Sequence, residues 1–87
     1  MIIIYKNIIT NYVENQLSIK DINDFAYKNG IPIKDSESII IYNYIKRNYK
    51  LLLNDKNYDF SSLKAQISPN LYEEIIKLYM KYKSKLF

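Results

Sequence analysis

Three pairs of carboxylates and two stretches of interleaved basic and aromatic residues are the places in this 87-residue chain where side-chain type and spacing suggest chemistry. Asp21 and Asp24 stand three residues apart, so on a helix both could face one Mg²⁺, although such sites draw further ligands from elsewhere in the chain or from substrate phosphates. Asp35 with Glu37 and Glu73 with Glu74 form two more pairs. All three fall where a helix is expected to begin, and a carboxylate there is explained by the positive end of the helix dipole without any ligand. The chain has no cysteine and no histidine. Thiolate nucleophiles, imidazole bases, disulfides and Cys/His zinc sites are therefore excluded. A single glycine also excludes a glycine-rich phosphate loop. The expectation is a protein that is not an enzyme, with no catalytic, cofactor-binding or metal-binding residue and no small-molecule substrate in evidence.

The basic stretches are "YNYIKRNYK" at 42–50 and "LYMKYKSKLF" at 78–87. Single-stranded nucleic acid is held by cations on phosphates and by aromatic faces under bases, so the mixture has suitable parts. The candidates are Lys46, Arg47, Lys50, Lys77, Lys81 and Lys85. Residues 1–45 carry four lysines against five acids, whereas residues 46–87 carry nine Lys or Arg against four acids. The net charge of +4 thus sits in the second half, as for a nucleic-acid footprint or an acidic partner. A plain alternative competes with this. Ile, Lys, Asn and Tyr make up more than half of the chain and share AT-rich codons, so base composition alone would enrich them. Spacing also places Lys77, Lys81 and Lys85 on one helical row and Tyr72, Ile76, Tyr79 and Tyr82 largely on other faces, where a tyrosine buries its ring and keeps its hydroxyl wet.

The elements that must position these residues read as helices. At 48% hydrophobic residues, with one Gly and two Pro, the chain is too apolar for a disordered tail and too poor in breakers for a many-stranded barrel. Its length supports one domain, residues 1–87. Tyr5, Ile8, Ile9, Tyr12 and Val13 have the period of a first helix within 2–16. Ser18 followed by Asp21 caps a second, with Ile19, Ile22, Phe25 and Ala26 facing inward and Asn29-Gly30 ending it. In the joint Gly30-Ile31-Pro32-Ile33, proline enforces an extended path and Ile31 and Ile33 point into the core. Asp35 or Ser36 caps a third, central helix, which runs to about Tyr49 with Ile40, Ile41, Tyr44 and Ile45 as its apolar band. Asn54–Asn57 reads as a turn. A short fourth helix opens at Asp59 or Ser61 and carries Phe60, Leu63 and Ile67. Ser68-Pro69 starts a fifth, striped by Tyr72, Ile75, Ile76, Tyr79 and Leu86. Glu73 and Lys77 would pair on its surface. The fold expected is all-α, a compact bundle of four to five short helices.

The stretch "LSIKDINDFAYKNGIPIKDSESIIIYNYIKR", residues 17–47, resembles in layout the helix-extended-loop-helix modules of the SAP and LEM type, which bind DNA or protein. Its acidic second-helix start, Asp35 and Glu37, departs from the basic residues usual there. Through "LSIKDINDFAYKNGIPI", "SIIIYNYIKR" and "ISPNLYEEI" the chain also resembles the YqfT-like family of small uncharacterised proteins from low-GC Gram-positive bacteria. That resemblance implies a bacterial helical bundle and carries no activity.

The apolar runs are far shorter than the roughly 20 residues of a membrane span, and "MIIIYKN" lacks the parts of a signal peptide. A cytoplasmic protein that does not engage membranes is expected. The third helix carries apolar or aromatic residues at 39, 40, 41, 42, 44, 45 and 49, more than one inward stripe uses. A homodimer or an unidentified protein partner would cover the surplus, as would a central place in the bundle. The leading expectation is therefore a non-enzymatic binding module for protein–protein interaction or self-association. Weak, salt-sensitive nucleic-acid binding is the alternative.

Overall fold

A computed structural model of the chain describes residues 2–55 and 57–86, the side chains of 2–5, 82, 85 and 86 excepted. Its described residues form an all-α bundle in the order α1 (Ile2–Asn15), α2 (Ile19–Lys28), α3 (Asp35–Asn54), α4 (Ser61–Lys64) and α5 (Pro69–Leu86). The 20-residue α3 is the spine: α2 packs on it, and α1 packs against both α3 and α5. The single turn of α4 lies on α5. Around this frame Ala26, Ile31, Ile41, Tyr44, Phe60, Leu63, Ile67 and Leu71 form one buried cluster. No helix among the described residues is long and apolar enough to cross a membrane.

The joint between α2 and α3 is specified residue by residue. Ser18, in an extended conformation, accepts from the Asp21 amide at 3.2 Å, and the Asp21 carboxylate accepts from the Ser18 amide at 3.0 Å. This reciprocal capping box satisfies two amides that helix geometry leaves open. At the other end Gly30 has φ +65, a left-handed conformation that costs glycine nothing. Ile31 N–H then reaches Ala26 O at 2.9 Å and Gly30 N–H reaches Tyr27 O at 3.2 Å, the two bonds of a Schellman closure. Its apolar contact is present too, since Ala26 and Ile31 are both in the core. Pro32 is exposed between Ile31, which is buried, and Ile33, which packs against the core.

Four sequence expectations require correction. The N-cap of α3 is Lys34, and neither Asp35 nor Ser36 caps it; the capping carboxylate is Glu37, three residues into the turn, which accepts from Lys34 N–H at 3.1 Å. The same helix continues past Tyr49 to Asn54, because Leu51–Leu53 contain no breaker and Leu53 is buried on the inward row. Ile19 and Phe25 of α2 are exposed rather than inward, since α2 meets the core on one narrow face through Ile22 and Ala26. Ile8 of α1 is 60% exposed: the row that enters the bundle is Ile9 and Val13, about 100° round the helix from Ile8 and Tyr12. On α5 the expected Leu86 lies outside the described side chains, and Leu71 proves to be the most buried residue of its face.

Candidate functional site

The five basic candidates with described side chains lie on two helices. Lys46 is half-buried and donates from Nζ to the carbonyls of Val13 at 2.9 Å and Glu14 at 3.4 Å, where it meets the negative end of α1. Arg47 and Lys50 are exposed beside it on α3, with Lys50 Nζ 6.0 Å from the Tyr49 ring centre. Lys77 pairs with Glu74 at 3.5 Å, not with the expected Glu73. Lys81 has a partner of its own, and the side chain of Lys85 lies outside the described residues. Lys46, Arg47 and Lys50 thus share one stretch of α3, while Lys77 and Lys81 belong to α5.

Asp21 and Glu37 are occupied by the fold, and Glu74 by its pair with Lys77. Asp21 caps α2, and its carboxyl is held below the usual range chiefly by the Tyr12 hydroxyl and then by the Ser18 amide. Tyr12 is correspondingly raised by that hydrogen bond to Asp21. Glu37 is buried and accepts two backbone amides, Lys34 N–H on one oxygen and Ser68 N–H at 2.8 Å on the other. The Ser68 amide is the main reason its carboxyl is lowered. One side chain therefore closes the starts of both α3 and α5. Next to it Ser38, fully buried, donates to Asn23 Oδ1 and ties α3 to α2. Among the described residues no three acidic side chains gather closely enough to hold a metal ion.

What sequence reasoning missed lies between α3 and α5. Their backbones hardly touch, and the space is filled by side chains from the segment connecting them. Phe60 stacks on Tyr44 at 6.3 Å and meets Tyr58 and Tyr79 edge-on at 4.9 and 4.8 Å. The Tyr44 and Tyr58 hydroxyls bond at 2.5 Å. Burial, more than that bond, pushes the Tyr58 phenol well above its ordinary value. The filling is incomplete. A cavity of about 300 Å³ remains, floored by Ala26, Ile41, Leu63 and Leu71 and opening beside Tyr12, Leu17 and Phe25. A second of about 250 Å³ adjoins it, sharing Ile45, Leu52, Phe60 and Ile75 as walls and reaching Ile9 and Tyr79. Among the described residues no Lys or Arg lines either, and Asp21 is the only carboxylate. The sequence signal was the surplus of apolar residues on α3, which serves both a core face and cavity walls.

The rim of the larger opening is apolar as well. Tyr12 and Phe25 line it from α1 and α2 and are 38% and 48% exposed. Ile8 stands one turn before Tyr12 on the same row of α1, so the exposed apolar surface continues along that helix. Family models, characterised proteins and solved structures give no match to this chain.

Proposed function

We propose that the protein is a non-enzymatic binding module that engages a protein surface, a second copy of itself being the simplest occupant, through the corner formed by α1 and α2. The observation that carries this is the exposed apolar row Ile8–Tyr12 running on to Phe25 across the opening of the cavity. Side chains of that size left in water cost free energy that a partner surface recovers, at roughly 25 cal/mol per Å² covered. Asp21 and Glu37 have backbone partners that account for their positions, which supports a binding role. Nucleic-acid binding ranks below it, because Lys46 and Lys77 are engaged within the chain and the ring of Tyr49, which lies beside Lys50, is half-buried.

Sedimentation velocity across micromolar concentrations tests the proposal. A concentration-dependent dimer that reverts to monomer in Ile8→Ser is expected. A monomer at every concentration, unchanged by Ile8→Ser, overturns self-association and leaves the corner to a different protein. For nucleic acid, filter binding of single and double strands at low salt gives the counter-test: affinity that falls steeply with salt and with Arg47→Ala and Lys50→Ala together would reverse the ranking.

A further inference from the structure

We infer that the cavity between α3 and α5 is a binding site for a small uncharged molecule that is mostly apolar and carries one hydrogen-bonding group such as a hydroxyl. This goes beyond the protein-binding corner, because the site lies behind the rim and its floor is the core itself.

Four observations support it. First, size: about 300 Å³ is the liquid volume of some ten waters and lies at the lower end of small-molecule sites. Second, chemistry: a space walled by Ile41, Leu63, Leu71 and their neighbours offers water almost no partners, so it favours an apolar occupant over solvent. Third, charge: with no Lys or Arg among the described residues of either wall and the Asp21 carboxylate at the opening, an anionic headgroup would be desolvated without a counter-charge there. Fourth, an unmet hydrogen bond: the Tyr79 hydroxyl, in the wall of the adjoining cavity, is buried and has no partner among the described residues. A buried hydroxyl without a partner costs free energy that one polar atom on the ligand would return. Tyr79 stays protonated there, since burial raises its phenol, and it can donate or accept. Tyr12 of α1 and Asp21 of α2 both line this opening.

The test uses 1-octanol and octanoate, matched in chain length and differing in charge, with the full chain observed by NMR. Saturable shifts with 1-octanol are expected, together with intermolecular NOEs from its methylenes to the methyl groups of Ile41, Leu63 and Leu71. Octanoate should bind at least about tenfold more weakly, the cost of a charge left without a partner. Ala26→Leu fills the floor and should abolish the shifts, with Ile41→Phe as the second filling variant. Tyr79→Phe should weaken 1-octanol about fivefold and leave toluene unaffected. NOEs confined to exposed residues such as Ile8, Ile39 and Met80, or shifts that persist in a folded filled variant, overturn the site; equal affinity for octanoate overturns the uncharged ligand, and an unchanged Tyr79→Phe overturns the role of the hydroxyl. Ile8 does not line the cavity, so Ile8→Ser should spare octanol binding while breaking self-association. The two proposals therefore fail separately.

Discussion

The two sides of α3 are held in different ways. Toward α2, and at its own start, the helix is fixed by polar groups with defined partners: the Ser18–Asp21 box, the Schellman closure at Gly30, the Ser38–Asn23 bond and Glu37. Toward α5 it is held by rings and aliphatic side chains around unfilled space. Hydrogen bonds are directional and are costly when left unmade, so they specify an angle. Apolar contacts are not directional and tolerate alternative packings at small cost. A joint that sets geometry and a gap that adapts to an occupant thus meet on one helix, with Ala26 of α2 belonging to both.

The largest effect should come from Glu37, where the specified side reaches across to α5. Glu37→Ala leaves the Lys34 and Ser68 amides without their acceptor at two helix starts, and about 3 kcal/mol of stability should be lost in urea denaturation. The same group gives a pH dependence whose sign is fixed. Its carboxyl is lowered in the folded protein, so its contribution is complete above the unfolded value of about 4.3 and is lost as pH falls through the folded value. Glu37→Gln should flatten the acid limb of a stability–pH profile; an acid limb identical in wild type and Glu37→Gln would mean that the bridge is not made in solution.

Gly30 tests the joint, whose neighbours Ala26 and Ile31 also line the cavity. A Cβ built there meets nothing within 4 Å, so the cost of a side chain is conformational and not steric. Gly30→Val should cost about 2 kcal/mol, and Gly30→Asn distinctly less, because asparagine tolerates the left-handed region. Equal losses in thermal denaturation would point to a hidden clash.

Much of the joint was legible in the sequence because its signals are local. Ser18-x-x-Asp21, Asn29-Gly30 and Ser68-Pro69 each place a particular conformation within a few residues, and each element begins or ends where those residues stand. Glu37 was placed at a helix start by the same reasoning, yet its second partner, Ser68, is 31 residues away and has no sequence signature. The gap was illegible for a related reason. Periodicity identifies an apolar face but not what lies opposite it, so Ile8 and Phe25 were expected inside when the neighbouring helices leave them at the surface. The basic candidates show the same limit, since charge counts cannot reveal that Lys46 spans to the end of α1.

On the gap side, Tyr44→Phe removes the hydroxyl that Tyr58 and Ser62 share but keeps the ring stacked on Phe60. Stability should fall by about 1 kcal/mol, the cost of one buried hydroxyl left without its partner. Because the walls are apolar and adaptable, the bundle should keep its helical circular dichroism, in contrast to the more cooperative loss expected of Glu37→Ala.

The smallest effect should be at Lys46, and it bears on both sides of the comparison. Its Nζ binds the carbonyls that α1 leaves open at its C-terminal end, so the residue belongs to the specified side even though it lies in the basic stretch. Lys46→Met keeps most of the aliphatic stem and removes the charge, which should cost about 0.5 kcal/mol and decline further in importance as salt rises. Hydrogen exchange locates the loss: the amides of the last turn of α1 should exchange faster while those of α2 keep their protection. A loss spread evenly over the molecule would show that Lys46 stabilises α3 itself. If the protein binds nucleic acid through this stretch, Lys46→Met should weaken that binding much less than Arg47→Ala, because the ammonium at 46 is already engaged with the end of α1.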